Sequence, residues 1–283
     1  MLVEMALYGG LAPAAVAAAL VWLVLRVAGP NSTHAGHCGA ALALTGGLLT
    51  GCFLQDVTPW RPDRSWNWLP YVAIMAAVAE LLITLIPLPA LVRWTVRLGL
   101  VVLAAWLLVP TLQETAPHLW FWRTAVGGAM VTTWCSLAVS APRLQGACLL
   151  VLLAVIVLAA AGVLEFAGFL KLVLAAGSLA AALIGIALVT WWRSASGVGS
   201  GVTPGIALLL PGLMCNGYFY RGYPELPVAS VVLVAIAPLV SALTGLAVQW
   251  LPSRAGRTVL LLVAALAPTG IAFFFAIQAG GNE

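Results

Sequence analysis

The chain has 283 residues, 63% of them hydrophobic and only 7% charged, with a formal net charge of +4. An ordinary soluble domain carries roughly 25% charged residues, so this composition excludes a solvated globular protein and points to a bilayer. It also argues against a nucleic-acid partner, because the basic residues form no clustered patch that could neutralise phosphates.

A helix needs about 20 apolar residues to cross the hydrocarbon core. In chain order, ten runs are long enough: residues 6–26, 38–54, 69–88, 94–112, 120–140, 145–164, 167–191, 203–220, 228–250 and 257–278. Lipid offers no partner to backbone N–H and C=O groups, so only helices or closed barrels span it. Continuous apolar runs, in place of short alternating segments, exclude a barrel. The expected fold is all-α: a polytopic integral-membrane bundle of about ten transmembrane helices, forming one membrane domain over 1–283 with no soluble domain.

Charge placement orients the bundle. Alternate turns carry Arg26, Arg93, Arg97, Arg143, Arg193, Arg254 and Arg257 with no acidic residue. The opposite turns mix Arg61, Arg64, Arg123, Lys171 and Arg221 with Asp56, Asp63, Glu114, Glu165 and Glu225. Positive residues favour the cytoplasmic side, which puts both termini outside. Glu4 stands where a secretory signal would carry basic residues, so the first helix is expected to be retained. Short loops fit a bacterial inner (plasma) membrane.

Five runs precede a boundary near residues 141–145 and five follow it. An odd number per half would make the halves inverted, the arrangement of many secondary transporters. No residue-by-residue similarity accompanies that symmetry. The third run ends at Pro87 and Pro89, while the eighth contains Pro204 and Pro211. Interior proline removes a helical hydrogen bond, which makes the eighth run a candidate discontinuous helix. The glycines at 197, 199 and 201 lie in a segment, 194–205, with no P-loop lysine. A flexible linker is expected there.

Glu80 lies near the middle of the third run. A carboxylate at such a depth costs about 2.5–3.5 kcal/mol on insertion scales, and it normally faces protein. Its helical neighbours Ala73, Ala76, Ala77, Ile83 and Thr84 form a mostly small stripe, which admits another helix closely. With no Lys or Arg expected at the same depth, the neutral acid is favoured. The candidate intramembrane polar site is Glu80 with Thr84, Asn216, Ser241 and Thr244. It would carry a proton or cation, or simply hold helices together.

His34, His37 and Cys38 have metal-like spacing, but a zinc site needs three or four ligands. A polar turn explains the pair more simply, and no metal or other cofactor is expected. On the opposite side, Trp60, Arg61, Arg64, Trp66 and Trp68, with Tyr220 and Arg221, are candidates for an outer vestibule. Trp rings and Arg forks can grip sugars or phosphates, although interfacial belts are also rich in Trp.

Three functions compete. The first is a small permease for a lipid-like or amphipathic molecule, with proton coupling through Glu80. The second is a non-catalytic subunit anchoring protein partners in a larger membrane complex. The third, an intramembrane lipid-modifying enzyme using Asp56, Asp63 or His34, is weakest because those groups fall on opposite faces.

Overall fold

Apolar side chains flank every run, so each backbone segment must satisfy its hydrogen bonds internally. The computed structural model meets that demand with ten α-helices: α1 (Ala12–Ala28), α2 (Thr33–Leu54), α3 (Leu69–Leu85), α4 (Ala90–Leu108), α5 (Leu119–Ser140), α6 (Gly146–Phe166), α7 (Leu170–Arg193), α8 (Val198–Phe219), α9 (Val228–Ala247) and α10 (Arg254–Gly280). A π-helical turn, Leu7–Leu11, leads into α1, and a 3-10 turn, Ser65–Trp68, leads into α3. The structure describes residues 7–29, 32–57, 61–112, 118–142, 144, 146–193, 195, 197–220, 227–247 and 254–280. Among these there is no strand, and the fold is an all-α bundle.

Eight segments are long and apolar enough to cross a bilayer: Leu7–Ala28, Thr33–Leu54, Ser65–Leu85, Ala90–Leu108, Gly146–Phe166, Leu170–Arg193, Val198–Phe219 and Val259–Ala279. The expectation of ten therefore stands as ten helices, eight of which reach that standard among the described residues. The polar content of α5, including Arg123 and five hydroxyl-bearing residues, keeps it out of that set, and the apolar stretch of α9 is shorter, Val228–Thr244.

The centre of the bundle is α8, which packs against α2, α3, α4, α5, α6, α7 and α9. Almost every residue of α8 is buried. Glycines make this possible. A methyl group added at Gly201 would run into the His37 carbonyl, and one at Gly197 into the Thr33 carbonyl. Gly197 also sits at φ +79°, a left-handed conformation that favours glycine.

Two expectations are corrected here. The segment around Gly197, Gly199 and Gly201 is not a flexible linker: α8 starts at Val198, and both later glycines are buried within it. Gly197 and Gly201 serve close approach to α2, and Gly199 faces Leu149 of α6. Nor is the eighth helix broken. Pro204 and Pro211 both lie inside a continuous helix. Each proline removes one donor, but neighbours packed on all sides hold the helix on course, with Leu44 against Gly205 and Leu108 against Gly212.

Several helices also begin earlier than hydropathy indicates. Helix α2 starts at Thr33, capped by Ser32, whose hydroxyl accepts from the Ala35 N–H at 3.2 Å. Helix α4 starts at Ala90, directly after Pro89, while α3 ends at Leu85 before Pro87. These added turns carry polar residues into the bundle.

Candidate functional site: a buried ion cluster beneath a polar recess

Four helices converge at one end, the end where the α1–α2, α3–α4, α5–α6 and α7–α8 connections lie. Glu80 comes from α3, Arg97 from α4, His37 from α2 and Ser200 from α8. Arg97 donates from Nε to Glu80 Oε1 at 3.0 Å and from Nη2 to Oε2 at 3.1 Å. This is the planar fork that arginine offers to a carboxylate. His37 Nε2 lies 3.1 Å from Oε2, and His37 Nδ1 lies 3.1 Å from Ser200 Oγ.

The absence of a basic partner for Glu80, expected from hydropathy, is thus corrected. Glu80 and Arg97 stand five and seven residues from the facing ends of α3 and α4. A short turn makes those helices antiparallel, so both residues lie within about 11 Å of it. The long arginine stem covers the remaining distance. Glu80 is sealed, with a side chain 1% exposed, whereas Arg97 and His37 are 23% and 17% exposed. The guanidinium also lies 5.6 Å from the ring centres of both Trp94 and Trp134.

The protons in this cluster are linked. With Glu80 ionised against Arg97, His37 Nε2 must donate to it. Ser200 has one hydroxyl proton and two acceptors within reach, His37 Nδ1 and the Gly197 carbonyl at 2.7 Å. Donation to Nδ1 makes the ring neutral. Donation to Gly197 leaves Nδ1 to supply its own proton, which makes the ring an imidazolium.

Above the cluster lies a recess of two lobes, with volumes of about 530 and 860 Å³. Thr33, His37, Arg97, Gly197 and Ser200 line both lobes. Trp134, Ala138, Pro142 and Leu144 give the first an apolar wall, while Glu80, Thr84, His34 and Arg93 belong to the second. Thr84 and Glu80 thus line the same lobe.

Asn216, Ser241 and Thr244 do not. The Ser241 and Thr244 hydroxyls donate to Ala237 and Val240 carbonyls within their own helix. Asn216 lies 16 residues beyond Ser200 on α8, about 24 Å along the axis. Its Nδ2 donates to the carbonyls of Leu108 and Gly212, and its Oδ1 accepts from Ser65 at 2.6 Å. His34 and His37 both line the second lobe. Both His37 ring nitrogens are engaged, and no group of three His, Cys, Asp or Glu among the described residues could hold a metal ion.

No protein-family model, curated protein or solved structure matches this chain.

The opposite end of α8 holds a second cavity of about 550 Å³, lined in part by Asp63, Arg64, Ser65, Trp68, Arg123 and Tyr220. The Tyr220 hydroxyl is 3.3 Å from Ser65 Oγ. Of the vestibule candidates, Arg64, Trp68 and Tyr220 line this cavity. Trp66 turns inward against Phe169, with Lys171 5.3 Å from its ring centre, and Arg61 is exposed. Trp60 and Arg221 lie outside the described residues. Sequence reasoning missed Arg97, Ser200 and Arg123; the last stacks 3.6 Å from the centre of the Trp106 ring. The short turn at residues 86–89 was the signal that could have paired Arg97 with Glu80.

Proposed function

We propose that the chain is a multi-pass permease of a bacterial inner membrane, with both termini outside. The recess over Glu80, Arg97, His37 and Ser200 is its substrate chamber, open to the cytoplasm. One observation carries the reading: two polar cavities stand at opposite ends of a single buried helix, α8, and apolar packing separates them. A permease needs a site that communicates with either face in turn, and a proline inside a continuous helix, which lacks one backbone donor, offers a place to bend. Pro204, on the wall of the first lobe, and Pro211, between the two cavities, supply two such places. The first lobe pairs a polar wall with an apolar one, which suits an amphipathic small molecule. Protons are the natural coupling ion, since Glu80 and His37 share a hydrogen-bonded chain with Ser200.

The alternative is a non-catalytic subunit of a larger complex. The apolar packing around Leu44, Leu108, Leu209 and Leu213 favours it, because a hydrophilic substrate needs polar groups along its path. Native mass spectrometry of the protein, extracted gently from its own membrane, separates the two. A monomer or homo-oligomer carrying a specific small molecule is the permease outcome. Stoichiometric foreign subunits with an empty recess would replace it with the subunit reading.

A further inference from the structure

We infer that the recess takes an organic anion: a phosphate or carboxylate head seated by Arg97 and Arg93, with a short apolar tail against Trp134, Ala138 and Leu144. The inference rests on reading the recess as the substrate chamber and adds the substrate's charge.

The charge inventory is one-sided. Among the described lining residues, Arg93 and Arg97 are the formal cations and Glu80 the one carboxylate. Glu80 is sealed beneath the recess and already occupied by Arg97 and His37. Ligand therefore meets the cationic side of the cluster first. His34 adds an imidazole and Thr33 a hydroxyl to the lining, whereas His37, Ser200 and Thr203 already spend their hydrogen bonds on Glu80 and on carbonyls at the start of α8. The first turn of α8, with Gly197, Gly199 and Ser200 on the lobe's surface, presents the positive end of a 22-residue helix. A lobe of about 530 Å³ is in the size range of small-ligand sites.

Glu80 acquires a definite role in this scheme. Its carboxylate is an internal competitor, holding the same guanidinium fork that an incoming phosphate or carboxylate would use. Ligand binding and the Glu80–Arg97 pair oppose each other, so anion entry loosens the α3–α4 contact. A cation would find no such exchange.

The test is calorimetric titration of the full-length protein in phosphatidylcholine nanodiscs with octyl phosphate, octyltrimethylammonium and inorganic phosphate. Octyl phosphate should bind saturably, at least about tenfold tighter than either of the others. Glu80→Gln keeps the side chain's shape but releases Arg97, and should tighten octyl phosphate by about tenfold. Arg93→Gln, outside the ion cluster, should weaken it at least about threefold. A parallel arm adds phosphatidylglycerol to the discs and detects retained lipid by native mass spectrometry. Retention that Arg93→Gln abolishes assigns the anion to a lipid head group, and octyl phosphate binding without retention assigns it to a soluble amphiphile.

Equal affinity for the two octyl compounds would overturn the inference. So would a Glu80→Gln protein that melts cooperatively yet binds octyl phosphate no more tightly than wild type. Octyl phosphate binding without flux into proteoliposomes would sink the permease reading and leave the anion site standing. Saturable flux of octyltrimethylammonium, with no octyl phosphate binding, would do the reverse.

Discussion

Arg97 grips Glu80 across the residue 86–89 turn through two hydrogen bonds of 3.0 and 3.1 Å, and the two partners differ sharply in burial. The carboxylate is sealed and the guanidinium borders the recess. Loss of one partner therefore differs from loss of the other. Arg97→Gln strands a charge without its counter-ion and should cost about 3–5 kcal/mol. Glu80→Gln leaves an arginine that can still reach the hydrated recess, and should cost less than about 2 kcal/mol. Denaturation of the purified variants in mixed micelles measures both. Equal losses would mean that the recess does not hydrate Arg97.

Glycine at 201 is needed for contact between α8 and α2. Gly201→Ala drives a methyl group into the His37 carbonyl, and should destabilise by about 1–3 kcal/mol through overpacking. Gly99→Ala is the matched control, because nothing lies within 4 Å of the methyl it would add. It should be neutral or stabilising by up to about 1 kcal/mol from helix propensity. Melting temperatures of the two variants in the same detergent check the contrast.

The number of helices and their order were legible because each apolar run is long and bounded by charge or proline. Their polar ends were not. A hydropathy window closes where polar residues begin, so it started the second, fourth and eighth runs at 38, 94 and 203, while the helices start at Thr33, Ala90 and Val198. Those missing turns contain His37 and Ser200, and they set the depth of Arg97. Glu80 stood out because it interrupts an apolar run. Its partners did not, because a residue near a helix end reads as a loop residue until the turn is placed. Ser241 and Thr244 misled for a different reason: a hydroxyl in an apolar helix can satisfy itself on the carbonyl four residues back.

Asn216 holds the far end of α8 to α4 and to the Ser65–Trp68 turn. Asn216→Ala leaves the Leu108 carbonyl without its side-chain donor and Ser65 with only the longer contact to the Tyr220 hydroxyl, at an expected cost of about 1–3 kcal/mol. The residue is about 24 Å from Ser200 along the helix, so octyl phosphate affinity at the other end should stay within about twofold of wild type. Parallel melting and titration of this variant check both halves of the expectation.

Access to Ser200 from the two membrane faces tests the permease reading most directly. Ser200→Cys, in a background with Cys38, Cys52, Cys135, Cys148 and Cys215 replaced, can be exposed to a membrane-impermeant maleimide in sealed vesicles of each orientation. A permease passes its chamber between faces, so the expected result is fast labelling from the arginine-rich face and slower, measurable labelling from the other. Labelling from the arginine-rich face alone, however long the exposure, would contradict transport and leave a one-sided binding protein.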